Sequence, residues 1–243
     1  MIVWLASYPR SGNTFFRILL SHLYSIETYT IYNEPEFSNL KNTKGLIGAR
    51  EKELNLEKMA SSKKVFFVKT HSLPSNDNYS SIYLMRDGRD SIISYSHYIT
   101  STLPKKDKRL LVSKLRSTIL PLIRGRVVKS LITGSKNERN NWTTHITQWT
   151  EQTNNKVVIK FEDLIKDPIP QVNRALQNLD ISELLPQLEK TSYPSFEDLH
   201  RDWPDFFRKG SSGGWREEMS PQHQKLFWKY HGETMSKFGY SED

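Results

Sequence analysis

Cysteine is absent from the 243-residue sequence, which excludes disulfides, thiolate metal ligands and a cysteine nucleophile. No stretch approaches the roughly 18 apolar residues that a membrane-spanning helix needs. The opening apolar run, Ile2 to Ala6, is short and has no basic region ahead of it. It reads as a strand rather than a signal peptide, and the expectation is a cytoplasmic protein with no membrane partner. Clustered metal ligands are also missing. Asp87 and Asp90 are close, but no histidine spacing accompanies them, so no metal is expected. Nor is there a Walker loop, because no lysine follows Gly12 and no glycine sits five residues before it.

What is present is a soluble globular balance, with 36% hydrophobic and 26% charged residues. The length suits one α/β domain spanning 1–243. Apolar β-rich runs occur at Ile2–Ala6, Val65–Lys69, Ile82–Met85 and Val157–Phe161, separated by helical patterns. That alternation predicts a central parallel sheet with helices on both faces. Helices are predicted over 88–98, over 108–132 with a break near Pro121 and Gly125, over 141–152, and at Pro168–Asn178 and Pro221–Lys237. Trp142, His145 and Trp149 form a helical stripe that reads as packing. Residues 27–62 are polar and weakly patterned, and read as loops plus a helix near Arg50–Ala60 that could cover the acceptor. Residues 192–220 read as a second cover.

The first strand runs into Ser7-Tyr8-Pro9-Arg10-Ser11-Gly12-Asn13-Thr14-Phe15 and then into a helix. Strand, Pro/Gly loop and helix N-terminus together suit a phosphate-like group. Gly12 lets the backbone approach an anion, Ser11 and Thr14 offer hydroxyls, and Arg10 adds a full charge. Further along, Val65-Phe66-Phe67-Val68 leads to Lys69-Thr70-His71, and Ile82 to Met85 leads to Arg86, with Ser94 eight residues later. Near the end stands Phe207-Arg208-Lys209-Gly210-Ser211-Ser212-Gly213-Gly214-Trp215.

In this order the segments resemble the sulfotransferases that use 3′-phosphoadenosine-5′-phosphosulfate (PAPS), over about residues 2 to 216. The resemblance implies a P-loop NTPase-like three-layer α/β/α fold, with PAPS as co-substrate, its 3′,5′-bisphosphate PAP as product, and no metal. It makes residues 10 to 15 (Arg10, Ser11, Gly12, Asn13, Thr14, Phe15) the 5′-phosphosulfate loop. Arg86, Ser94, Arg208, Lys209 and Gly210 take the 3′-phosphate, and Phe15, Phe161, Ser195 and Phe196 lie near the adenine. His71 becomes the general base and Lys69 a holder of sulfuryl oxygens. Arg10 replaces the family's usual lysine, so it can neutralise the leaving phosphate but cannot donate a proton. Gly214 stands where the family commonly has aspartate, which predicts a lost capping interaction before Trp215.

The implied acceptor is a hydroxyl or amine on a small molecule or glycan, of the kind sulfated in bacterial secondary metabolism, with no nucleic acid partner. No motif specifies the acceptor or an oligomeric state. Two alternatives stay open at this point. One is a small-molecule kinase, weakened by the missing Walker lysine. The other is a polyanion- or nucleic-acid-binding protein built on Lys105–Lys129. That segment holds nine basic residues against Asp107, an excess equal to the whole net charge of +8. It reads either as a solvated helical face or as a steering surface for anions.

Overall fold

β1 (Ile2–Ser7) is buried along its whole length. Its Ile-Val-Trp-Leu-Ala run has no polar alternation, the pattern of a strand covered on both faces. The computed structural model describes residues 1–32, 54–106, 113–134, 141–151, 155–186, 192–204 and 206–243, without the side chains of 102–118. In chain order its elements are β1, α1 (Asn13–Tyr24), β2 (Thr28–Thr30), α2 (Leu56–Ala60), β3 (Phe66–Thr70), β4 (Ser80–Met85), α3 (Gly88–Lys106), α4 (Ser113–Thr133), α5 (Trp142–Glu151), β5 (Lys156–Lys160), α6 (Phe161–Lys166), α7 (Pro168–Asn178), a 3₁₀ turn at Ser182–Leu184, α8 (Phe196–Asp202), α9 (Trp215–Glu218) and α10 (Pro221–Lys237).

The chain divides into two compact units. The first, Met1–Met85 with Ile146–Pro194, contains the sheet. All five strands are parallel, in the order β2-β3-β1-β4-β5, giving the expected P-loop-like α/β/α arrangement. Helix α1 buries Phe15, Phe16, Ile18, Leu19 and Leu20, so removing this apolar face would cost several kcal/mol at about 25 cal/mol per Å². In the second unit, Arg86–His145 with Ser195–Asp243, α3, α4 and α10 pack together. Gly88 opens α3 because a Cβ there would stand 2.7 Å from Phe227 and 2.8 Å from Trp142.

Three expectations are corrected. β2 was not anticipated within the segment read as loops, because three residues carry too little periodicity to register. Helix α4 runs unbroken through Pro121. Proline removes one backbone donor, but Pro121 and Leu122 lie on the exposed side of the helix, where water can take the freed carbonyl. Phe161 opens α6 instead of finishing β5. The predicted helix at Pro168–Asn178 and the last one at Pro221–Lys237 match in both bounds. Trp142, His145 and Trp149 are buried, as packing requires. The proposed cover over 27–62 lies largely outside the described residues, as do Lys108 and Arg109 of the basic segment, and the side chains of its Lys105, Lys106, Lys114 and Arg116 are not described.

Candidate active site

In the first unit, strand register assembles the chemistry. Ala6 pairs with Thr70 across β1 and β3, so the next residues, Ser7 and His71, become neighbours at the carboxyl edge of the sheet. That edge is where open α/β folds place ligands. His71 Nδ1 lies 2.8 Å from the Ser7 carbonyl oxygen and 3.2 Å from Ser7 Oγ. A carbonyl only accepts, so Nδ1 carries the proton and the neutral ring keeps its lone pair on Nε2. Lys69, two residues earlier on β3, is buried.

The loop after β1 turns through two left-handed residues, Arg10 at φ 68° and Gly12 at φ 94°. For arginine that conformation costs about 1 kcal/mol, and such turns aim successive N–H groups inward, forming anion-binding concavities. A Cβ on Gly12 would stand 2.6 Å from the Phe161 ring, so glycine is needed here for both space and φ. Ser11, Thr14 and Phe15 are buried. Asn13 Nδ2 donates to the Leu5 carbonyl at 2.8 Å and to Ser7 Oγ at 3.3 Å. Its side chain therefore ties the loop back to β1, and only its backbone N–H remains as a donor for an anion. Phe161 packs against Gly12 and is buried.

Sequence reading missed Tyr32. The backbone N–H of His71 donates to the Tyr32 hydroxyl at 2.8 Å, and the Tyr32 ring stacks on the imidazole at 5.9 Å and 19°. Its hydroxyl also lies 2.9 Å from Ser72 Oγ. Nothing in the weakly patterned stretch around Tyr32 signals this, because the contact depends on how β2 enters the sheet.

The second unit gathers the other group. Arg86 follows β4, and its Nη2 donates to the Ser211 carbonyl at 2.9 Å, which ties it to the loop after Lys209. Ser94 lies buried on α3. Arg208 Nη1 donates to both carboxylate oxygens of Glu218, at 2.8 and 2.9 Å. Lys209 Nζ lies 2.9 Å from the same carboxylate and His97 Nε2 2.7 Å. Burial would raise the Glu218 pKa, but the hydrogen bonds from Lys209, Arg208 and His97 outweigh it and hold it at about 2. Among the described residues the buried Nε of Arg208 has no hydrogen-bond partner, and a phosphate oxygen would satisfy that donor. Gly210, at φ 61°, lies so close to Phe196 that a Cβ would stand 2.0 Å from its ring. The Ser195 hydroxyl accepts from the Asp198 N–H and closes a capping box at the start of α8.

The capping interaction expected to be lost with Gly214 comes from elsewhere. Asp90 on α3 accepts from the N–H groups of Gly213 at 2.7 Å and Trp215 at 3.0 Å. Arg89 lies 3.7 Å over the Trp215 ring while its Nη2 pairs with Asp87 at 2.8 Å. Asp90, Arg89 and Glu218 thus fix the Arg208–Gly214 loop, although the sequence pointed to Asp90 only as a carboxylate near Asp87 and to the other two not at all. Among the described residues no group of histidine, aspartate and glutamate side chains is arranged to hold a metal ion.

Comparison with known proteins identifies the family. Two curated relatives from Arabidopsis thaliana are similar over most of the chain. Cytosolic sulfotransferase 7 is 21% identical, covering 91% of this chain and 75% of its own. Cytosolic sulfotransferase 5 is 23% identical, covering 90% and 74%. A solved mouse sulfotransferase complexed with PAP superposes with a TM-score of 0.59 at 18% identity, over 96% of this chain and 83% of its own. Retinol dehydratase in complex with androsterone and PAP gives 0.56 at 18%, over 96% and 80%. The profile of the sulfotransferase domain matches residues 2–239, which favours neither the kinase nor the polyanion-binding alternative. The chain belongs to the sulfotransferase domain family.

Proposed function

We propose that this sulfotransferase moves the sulfuryl group of PAPS to a hydroxyl or amine on a small-molecule acceptor, with His71 as general base. The observation that carries the reading is the 2.8 Å contact from His71 Nδ1 to the Ser7 carbonyl. It leaves the basic nitrogen on the opposite edge of the ring, in the residue that follows the strand beside the anion loop. His71 Nε2 takes the acceptor proton as the acceptor oxygen or nitrogen bonds to sulfur. The bond from sulfur to the bridging oxygen breaks, and Arg10 with the loop N–H groups stabilises the charge left on the 5′-phosphate. One such donor is worth about 3 kcal/mol by analogy with oxyanion sites. Lys69 holds the sulfuryl oxygens.

In the second unit, Arg86, Ser94, Arg208, Lys209 and the Gly210 backbone bind the 3′-phosphate. The buried Nε of Arg208 supports that assignment. Phe15, Phe161, Ser195 and Phe196 remain assigned near the adenine. Residues 1–243 act as one functional domain, because the family match runs through both units. The names of the plant relatives support a cytoplasmic enzyme, and among the described residues no helix is long and apolar enough to cross a membrane. Androsterone in one structural neighbour and retinol in another support an apolar alcohol as acceptor, and secondary metabolism is the setting we assign. Glycans remain a second acceptor class within that setting.

The test is differential stabilisation. PAP at a hundredfold over its Kd should add about 2.7 kcal/mol, visible as a rise in Tm, while ATP leaves Tm nearly unchanged. Equal shifts with the two nucleotides would overturn the assignment.

A further inference from the structure

The basic segment contributes one basic residue to the lining of a described cavity. Arg124, from that segment, lines a cavity of about 350 Å³ in the second unit, with Ile93 and His97 of α3, Pro121, Gly125 and Val128 of α4, and Glu218, Ser220 and His223. The cavity follows from the sequence of α4. Pro121, Gly125 and Val128 share one helical face at i, i+4 and i+7, and Gly125 leaves a gap where a side chain would stand. A Cβ there would meet only His223, at 3.8 Å.

The lining is chemically one-sided. Its floor is apolar, from Ile93 and Val128, both buried. Arg124 makes one long hydrogen bond, Nε to Thr100 Oγ1 at 3.4 Å, and no salt bridge among the described residues. The carboxylate beside it, Glu218, is already bonded to Arg208, Lys209 and His97. Helix α10 begins at this wall with Ser220 as its N-cap, so the positive end of its dipole faces the same space. Both imidazoles respond to the field. Burial, then Arg124 and Arg208, lower the His97 pKa, and burial, then Lys129, lower that of His223. A neutral His97 commits its one N–H to Glu218, so it adds neither charge nor a further donor to the cavity.

We propose that this cavity binds a small organic anion, a single sulfonate- or carboxylate-type headgroup on a flat apolar body. The headgroup pairs with Arg124 and the α10 terminus, and the body covers Ile93 and Val128. A volume at the lower end of ligand pockets, which begin at about 300 Å³, suits one or two fused rings. The site uses neither His71 nor Arg10 and shares only the Glu218 carboxylate with the Arg208 cluster, so it does not rest on the donor assignment.

Calorimetric titration of the nucleotide-free protein with naphthalene-2-sulfonate tests it, with naphthalene-2-sulfonamide and inorganic sulfate as probes lacking the charge and the rings respectively. Expected is one site for the sulfonate, with the sulfonamide and sulfate each about tenfold weaker or more. Arg124→Gln should weaken the sulfonate about tenfold, and Gly125→Leu, which fills the gap without a strained φ, should abolish binding. His71→Ala should leave the sulfonate affinity unchanged. Thermal midpoints confirm that the variants are folded. The proposal is overturned by no sulfonate binding, by equal affinity for the sulfonamide, by binding that survives both cavity variants, or by binding lost in His71→Ala.

Discussion

Glu218 takes both of its carboxylate oxygens to one nitrogen of Arg208, Nη1, at 2.8 and 2.9 Å. The guanidinium is thereby oriented, and its Nε has no hydrogen-bond partner among the described residues. Glu218 is a positioning residue for the cation assigned to the 3′-phosphate. Glu218→Ala should weaken PAP binding about tenfold, the worth of one charge-assisted hydrogen bond. Glu218→Gln keeps an acceptor for Arg208 and should retain most of the affinity. Titration calorimetry with PAP separates the two, and equal losses in both variants would rule out orientation as the role.

His71→Ala should lower kcat by about 10²–10⁴ while leaving PAP affinity nearly intact, the signature of a lost general base. Arg86→Ala should do the reverse. Single-turnover rates and PAP titration are the two readouts, and a fully active His71→Ala enzyme would require another base.

Tyr32 should matter through His71. Tyr32→Phe keeps the ring stack but leaves the His71 N–H without its acceptor, a loss of about 1 kcal/mol in stability. Tyr32→Leu loses the aromatic stack as well. Expected is a small fall in kcat for phenylalanine and a larger one for leucine, with the apparent pKa of the kcat profile moving only for leucine. Identical pH profiles in all three proteins would reduce Tyr32 to packing.

Acid should destabilise the fold in two steps. His231 is buried and its Nε2 donates to the Ile132 carbonyl. Burial lowers its pKa from 6.5 to about 4 despite that bond. The unfolded chain binds this proton first, so stability falls as pH drops from about 6.5 to 4, by about 3 kcal/mol. Glu218, held at about 2 against an ordinary 4.5, contributes stability above pH 4.5 that is lost as pH falls toward 2. Denaturant midpoints between pH 7 and 3 should show the first step shrink in His231→Gln, leaving the part that His97 and His223 contribute, and the second shrink in Glu218→Gln.

Gly210→Ala would force a Cβ into the Phe196 ring at a left-handed φ of 61°. PAP affinity should fall, and Gly210→Ala combined with Phe196→Ala should recover only part of it, because the strained φ remains. Full recovery would assign the whole effect to the collision.

Much of this protein was legible from the sequence alone. The apolar runs marked four of the five strands; β1, β3 and β4 are buried almost throughout, as strands covered on both faces are, while β5 at the sheet edge alternates. Pro168 and Pro221 marked helix starts because proline has no N–H to lose there. The loop after β1, Lys69-Thr70-His71, Arg86 and the Arg208–Gly210 stretch could be singled out as candidates because each follows a strand or turn with its own local signal. Only tertiary structure decided what holds them. The His71 tautomer comes from the Ser7 carbonyl, 64 residues away. The Gly213 and Trp215 amides are capped by Asp90 from another helix, and Arg208 is oriented by a glutamate that reads in sequence as one more surface charge. These contacts depend on strand register and helix packing, and no short window of sequence carries that information.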